Sequence, residues 1–504
     1  MEERRNQVGE AACPGEIKKS KTGLYKYAWI ELPRSAPPKR SPEERVKDFR
    51  EIYDTYDEAA AMEQARRCLS CPEALCVEAC PLHNRIPEWM LLTAEGRFLD
   101  GAALACSTSN MPEICARICP QDRLCEGACI LQGKGAEPVA IGGIERFLLE
   151  YAFRHGAVDA AAVPPNGLCA AVVGAGPAGL ACADELAKRG YAVTVFEAHQ
   201  HPGGLLMNGI PAFKLEKRIV DRRVEVYRKR GVRFEFGVRV GADKPLADLV
   251  EQFDAVFLGI GCWEPRGMDL KGADAENVWP ALPFLIQHNG REPLGVPPID
   301  AKGKRVLVLG GGDTAMDCLR TALRNGAREA VCVYRRDEAN MPGSRREYHN
   351  ALEEGARFIF LTNPLEILTD EQNRVRAVRC IRMQLSDPDA SGRRRPKPVP
   401  GAEHEIPADL VLIAFGFQPT KFPEDEVFDQ LPKTRYGTLE TDAWGMTGME
   451  GVFAGGDITR GPALVVQAAA DGRKAAAGIH RLLMRRRMEE ATGASDDNVS
   501  VELP

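Results

Sequence analysis

The sequence predicts an α/β protein in which a helical N-terminal region precedes two interleaved Rossmann-like domains. Three observations predict it. Nine cysteines crowd between Cys68 and Cys129. A strand, glycine turn, helix and strand follow one another from Cys169, and the same series starts again at Lys304. Near the C-terminus a short apolar run ends in the glycine-flanked acid Asp457, where a chain that left the first domain to build the second would return.

At 504 residues the chain has room for roughly three domains of about 150 residues each. Sixty-six basic against 72 acidic residues give a net charge of −6, which lacks the basic footprint of a general nucleic-acid binder. The two short basic runs, Arg393–Arg395 and Arg485–Arg487, read as solvated surface. No apolar stretch follows the charged start Met1-Glu-Glu-Arg-Arg, and no run approaches the roughly 18 apolar residues of a membrane span. The expectation is a cytoplasmic protein without a membrane partner. That compartment is reducing and disfavours structural disulfides.

The helical region is defined by its cysteines. Cys106 aside, they form two runs, Cys68-x2-Cys71-x4-Cys76-x3-Cys80-Pro81 and Cys115-x3-Cys119-Pro120-x4-Cys125-x3-Cys129. A structural zinc site favours paired CxxC knuckles, and only Cys68/Cys71 has that spacing. Short cysteine runs ending in Cys-Pro instead serve paired iron–sulfur clusters, with the last cysteine of a run crossing to the other cluster. On that logic Cys68, Cys71, Cys76 and Cys129 hold one [4Fe–4S] cube, while Cys80, Cys119 and Cys125 hold part of a second. The second is one ligand short, and Cys115 or an oxygen ligand is left to fill it. The scattered cysteines (Cys13, Cys169, Cys182, Cys262, Cys318, Cys332, Cys380) read as small buried hydrophobes.

The first Rossmann-like unit opens with the strand Cys169-Ala-Ala-Val-Val173, the turn Gly174-Ala-Gly176-Pro-Ala-Gly179, a helix, and the strand Tyr191–Phe196 ending at Glu197. Gly174 makes the tight turn, Gly176 admits a pyrophosphate, and Gly179 lets helix and strand pack closely. The helix N-terminus offers free N–H groups to the phosphates, and Glu197 is placed to accept from a ribose hydroxyl. In the second unit the strand Lys304–Leu309 leads to Gly310-Gly-Gly312-Asp-Thr-Ala315, and the next strand ends in Arg335-Arg336 instead of an acid. An acid repels a 2′-phosphate, whereas guanidinium groups bind it with charge-assisted hydrogen bonds, so NADPH is expected here. At the return, Gly451-Val-Phe-Ala-Gly-Gly-Asp457 reads as a strand whose acid can bond a flavin's ribityl chain. The helix opening at Gly461–Gln467 would favour negative charge on the reduced ring.

Together the stretches "CLSC", "ICPQDRLCEGAC", "IGGIERF", "VVGAGPAGLACADELAKRG", "GIPAFKLEK", "VLGGGDTAMDC", "YRRDEANMPGSRRE", "AFGFQP" and "FAGGDITRG" resemble, in order, the small (beta) subunit of bacterial NADPH-dependent glutamate synthase. The wider group includes the electron-input halves of dihydropyrimidine dehydrogenase and of ferredoxin-NADP transhydrogenases. The resemblance implies a glutathione-reductase-like pair of nucleotide domains, with FAD on the first and NADPH on the second. It implies electron flow through two [4Fe–4S] clusters to a glutamate synthase large subunit, for glutamate synthesis from glutamine and 2-oxoglutarate. Ferredoxin or another acceptor is the alternative. It also implies that Glu145 completes the second cube, with Cys115 in reserve.

The expected FAD set is Gly174, Gly176, Pro177, Ala178, Gly179, Glu197, Gly204, Leu205, Gly456, Asp457, Leu464 and Val465. The NADPH set is Gly310, Gly311, Gly312, Asp313, Thr314, Arg335 and Arg336. No side-chain acid or base is needed for a flavin-centred hydride transfer. The expected divisions are 1–165 for the iron–sulfur domain, 166–290 plus 415–504 for the FAD domain, and 291–414 for the NADPH domain.

Overall fold

The computed structural model describes residues 27–267, 269–290, 295–388, 394–421 and 425–492. Residues 1–26 of the expected iron–sulfur domain, including Cys13, lie outside the described residues. So do position 291, where the NADPH domain was expected to start, and Arg393.

The N-terminal region is helical because its segments carry start signals and apolar faces. Asp57 caps the helix Glu58–Arg66 by accepting from Ala60 N–H, and prolines sit in the first turns of Ile86–Ala94 and Pro112–Ile118. The helix Ile141–Arg154 buries Ile141, Ile144, Glu145 and Leu148 along one stripe. These helices close around Trp89, Phe98 and Phe147, all buried.

The first nucleotide unit is a five-stranded parallel sheet in the order Val452–Ala454, Ala255–Leu258, Cys169–Val173, Ala192–Glu197, Arg233–Phe236. Alternation along the central strand separates its two faces. Ala170 and Val172 join the core beneath Pro177–Ala187 and Val465–Thr492, while Ala171 and Val173 join the opposite core with Leu246 and Phe428. The chain leaves this sheet after Ala255–Leu258 and returns to it at Val452–Ala454.

Between those points lies a second parallel sheet in the order Val278–Pro280, Leu410–Ile413, Arg305–Leu309, Glu329–Val333, Arg357–Ile359. The expected division at 290/291 is corrected here. Val278–Pro280 pairs with Leu410–Ile413 inside the second sheet, and Ala281–Asn289 packs into that sheet's core. The edge strand is supplied before the glycine turn and so has no motif of its own. A three-stranded antiparallel sheet, Thr362–Thr369, Val375–Pro388 and Arg394–Pro407, covers one face of the second sheet through Ile367 and Val378. The short pair Glu264–Pro265 and Phe417–Gln418 forms where the chain crosses between the units in each direction.

Buried ion pairs fasten the helical region to both units. Arg45 donates to Glu354 at 2.8 Å, and Arg223 forks onto both Glu113 oxygens at 2.6 and 2.7 Å. Burial works against the Glu354 carboxylate, but the Arg320 and Arg324 guanidinium groups outweigh it and hold its pKa down at about 2.

Candidate functional site

The cysteine runs line two cavities. One is walled by Cys68, Cys71, Cys76 and Cys129, with Leu75, Ile130 and Met90. The other is walled by Cys80, Cys115, Cys119, Cys125 and Glu145, with Trp89 and Leu124. The last cysteine of each run stands at the other run's cavity, Cys80 with the second run and Cys129 with the first. Cys106 lines neither. Ile86 and Ile141 are common to both walls.

Burial pushes the Cys68 and Cys76 thiols up to about 12 and Cys80 up to about 11. Thiols so disfavoured as anions become thiolates only beside a cationic core, which is the donor chemistry of an iron–sulfur cube. Glu145 is buried on the inner stripe of its helix and accepts from Asn84 Nδ2 at 2.8 Å. Burial pushes its carboxyl up to about 8, against that hydrogen bond. Cys115, the reserve, lies in the same cavity and shares a hydrogen bond with Cys119 that, with burial, holds the Cys119 thiol well above its ordinary value. Both candidates therefore stand at the second cavity. Among the described residues no three His, Cys, Asp or Glu side chains close on a single-ion site.

The two glycine turns face one cavity of about 1890 Å³. Its walls include Gly174, Gly176, Pro177, Ala178, Glu197, Gly204, Leu205, Gly456, Asp457, Leu464 and Val465 from the first unit. From the second come Gly310, Gly311, Gly312, Asp313, Thr314, Arg335 and Arg336. Of the expected nucleotide residues only Gly179 does not line it. A Cβ there would stand 1.9 Å from Gly174 O, so Gly179 serves the close approach of helix and strand.

The turns fit dinucleotide phosphates. Gly174 and Gly310 have φ of +97° and +134°, and a Cβ on either would meet a carbonyl oxygen at 2.6 or 2.3 Å. At Gly176 and Gly312 a Cβ would meet no protein atom within 4 Å. These two glycines, which N-cap Pro177–Ala187 and Asp313–Arg324 without a side-chain partner, therefore leave room and free N–H groups at the helix N-termini.

Glu197 is buried at its strand end. Its carboxylate accepts from Ala175 N at 2.7 Å and His199 N at 2.9 Å, tying the strand to the turn. Arg336 is half-buried and its Nε has no protein partner, an orphan donor beside the cavity that an anion would satisfy. Asp313 accepts from Ser344 N at 2.8 Å and pairs with Arg123 at 3.4 Å. Asp457 accepts from Ala463 N at 3.2 Å, and burial pushes its carboxyl up to about 7.

The geometry adds residues to which the sequence reading gave no role. Lys214, inside the quoted GIPAFKLEK stretch, reaches from the first unit to Asp317 of the second at 2.8 Å, with Glu347 4.0 Å away. All three line the nucleotide cavity. Burial pushes the Asp317 carboxyl up to about 6, against the pull of Lys214. Cys119 and Leu124 line both this cavity and the second cysteine cavity, which places the two side by side.

Residues 45–157 match the family model described as dihydropyrimidine dehydrogenase domain II, 4Fe-4S cluster, and residues 170–472 match that of pyridine nucleotide-disulphide oxidoreductase. The chain is 46% identical to the glutamate synthase [NADPH] small chain of Escherichia coli, over 90% of this chain and 98% of that one. The chain belongs to the glutamate synthase small-chain family. Membership makes it an NADPH-dependent oxidoreductase with FAD, NADPH and 4Fe–4S chemistry. It is also 45% identical to the putative oxidoreductase AegA of E. coli, over 88% of this chain and 69% of that one. Among solved structures, FprA of Mycobacterium tuberculosis in complex with NADPH shares the fold, with a TM-score of 0.57 at 22% identity over 67% of this chain and 88% of that one. Among the described residues no helix is long and apolar enough to cross a membrane.

Proposed function

We propose that this small chain takes electrons from NADPH and delivers them, through FAD and two [4Fe–4S] clusters, to a glutamate synthase large subunit for glutamate synthesis from glutamine and 2-oxoglutarate. The observation that carries the reading is the row of three cavities with shared walls: nucleotide cavity, Cys80/Cys119/Cys125/Glu145 cavity, Cys68/Cys71/Cys76/Cys129 cavity. The last is flanked by Leu75, 53% exposed, and Ile130, 40% exposed, so the row runs from the nucleotides toward the surface.

In this reading the Gly174–Gly179 turn, Glu197, Gly204, Leu205, Gly456, Asp457, Leu464 and Val465 hold FAD. Gly310–Thr314 cradles the NADPH pyrophosphate, and Arg335 and Arg336 take the 2′-phosphate. When bound, NADPH supplies a hydride to the flavin, and the clusters carry single electrons onward. The chain's own part would be to hold both nucleotides in the one cavity that the two glycine turns face, and to hold the cluster donors. Glu145 is the eighth cluster donor and Cys115 the packing partner of Cys119.

Cys71→Ser tests the reading in the chain copurified with its large partner. Anaerobic NADPH should still bleach the flavin, while glutamate formation collapses. Undiminished glutamate formation with one cube missing, or zinc in place of iron on elemental analysis of the parent chain, would sink the electron route. The similarity to AegA favours a second reading, in which the same front end serves a different acceptor. A native extract that yields no large chain on copurification would select it.

A further inference from the structure

We propose that Arg346 couples nucleotide occupancy to the electron affinity of the cluster at Cys119. The proposal rests on the reading of Cys119 as a cluster ligand. Arg346 lies in the first turn of the helix Arg345–Glu353 of the second unit, yet its guanidinium ends in the iron–sulfur region. Nη1 donates to Gln121 Oε1 at 2.7 Å, and Nη2 donates to the carbonyls of Arg117 at 3.0 Å and Cys119 at 3.3 Å. Those carbonyls belong to the C-terminal end of the helix Pro112–Ile118. On its other side Arg346 lines the nucleotide cavity. The preceding residues are bound to the glycine turn, because Gly343 N donates to Gly311 O at 3.0 Å. One guanidinium thus stands between the phosphate cradle and the backbone of a cluster donor.

The other cations lining the cavity nearby are held differently. Lys214 is paired with Asp317, and Arg123 with Asp313 and the Pro342 carbonyl. The carboxylate against Arg346 is Glu347, at 3.6 Å, and that group is also paired with Arg320.

A fixed positive charge beside a cluster favours its reduced form, which carries one electron more. Nucleotide phosphates at the glycine turn draw on the same charge, so a bound anion lowers the cluster's electron affinity. Linkage makes the effect reciprocal: the added electron weakens the hold on the nucleotide. An electron arriving at this cluster therefore promotes release of the spent nucleotide.

The test uses the loaded small chain and 2′,5′-ADP, which keeps the 2′-phosphate and the adenosine-side 5′-phosphate but has no nicotinamide and cannot accept a hydride. EPR-monitored redox titration should show saturating 2′,5′-ADP moving the midpoint of the Cys119 cluster to lower potential, with the Cys68/Cys71/Cys76/Cys129 cluster unmoved. Reduction should weaken 2′,5′-ADP binding by about fivefold or more. Arg346→Gln should abolish both effects, and Arg346→Lys, which keeps the charge, should retain them. No shift in the parent chain, an undiminished shift in Arg346→Gln, or its absence from an iron-replete Arg346→Lys would each overturn the proposal. Cys119→Ser with both cluster signals and full iron content would instead remove the ligand reading beneath it.

Discussion

The two glycine turns are built alike and finished differently. Each follows the central strand of a five-stranded parallel sheet, each begins with a glycine at positive φ wedged against a carbonyl, and each ends in an uncapped helix N-terminus. The differences lie at two positions. Where the first helix begins with Pro177, the second begins with Asp313. Where the first unit's second strand ends in the buried Glu197, the second unit's ends before exposed Arg335 and half-buried Arg336. In the proposed reading the backbone supplies a phosphate cradle common to both cofactors, and side chains at the rim decide which nucleotide each cradle accepts.

The largest effects should come from filling the cradles. Gly176 and Gly312 have φ of −75° and −90°, open to any L-residue, and their Cβ positions face empty space. Valine at either is therefore expected to leave the fold intact and occupy ligand volume. Gly176→Val should purify with its iron but without FAD while still binding 2′,5′-ADP, and Gly312→Val should keep its FAD but lose that binding. If both variants keep both ligands, the cradles are not where the phosphates sit.

Next in size is the rim. Replacing Arg335 and Arg336 together by glutamine should weaken NADPH by on the order of 3–5 kcal/mol, more than a hundredfold, because charge-assisted bonds to the 2′-phosphate are lost. NADH, which lacks that phosphate, should change little. Equal losses for the two nucleotides in stopped-flow titration would break the comparison at its most informative point.

The units should also respond oppositely to acid. Glu354 in the second unit is held at about 2, below its unfolded value, so the unfolded chain takes up its proton first. Its contribution, about 3 kcal/mol, is present above pH ~4.5 and is lost as pH falls toward 2. Asp457 in the first unit is raised to about 7 by burial. There the folded flavin-free chain binds more protons than the unfolded chain, so stability falls as pH rises from about 4 to 7. Glu354→Gln should flatten the acid limb of denaturant midpoints against pH, and Asp457→Asn the rise-related loss. A variant that leaves its own limb unchanged would contradict the corresponding shift.

What the sequence revealed about these units was local. A glycine turn with its flanking strands lies within a short window, and so does each cysteine run. Glu145 was singled out by the family resemblance alone, and folding places it on the buried helical stripe of Ile141, Ile144 and Leu148. The edge strand Val278–Pro280 was not readable, because its partner Leu410–Ile413 lies far along the chain and three residues carry no periodicity. The antiparallel sheet was missed for a related reason. Its strands Val375–Pro388 and Arg394–Pro407 are held by each other and by the cover they give to Leu307 and Val331. Lys214 and Arg346 could be quoted within motifs but not interpreted, since Asp317 and Cys119 become their neighbours only on folding.

The smallest effect is expected at Asp313, the position that answers to Pro177. An acid in the first turn of an ordinary helix is favourable, but here the same N-terminus is offered to phosphate. The structure reduces the conflict: Ser344 N–H and Arg123 engage the carboxylate, which remains 38% exposed and well screened. Asparagine keeps an oxygen for Ser344 N–H and removes the charge. Asp313→Asn should therefore tighten 2′,5′-ADP binding by about 2–5-fold at low salt, with the gain fading as ionic strength rises. FAD content should not change, since the first turn is untouched. Weaker binding at every salt concentration would mean that the Arg123 pair positions the turn, and that the difference between the two turns at this position is architectural instead of electrostatic.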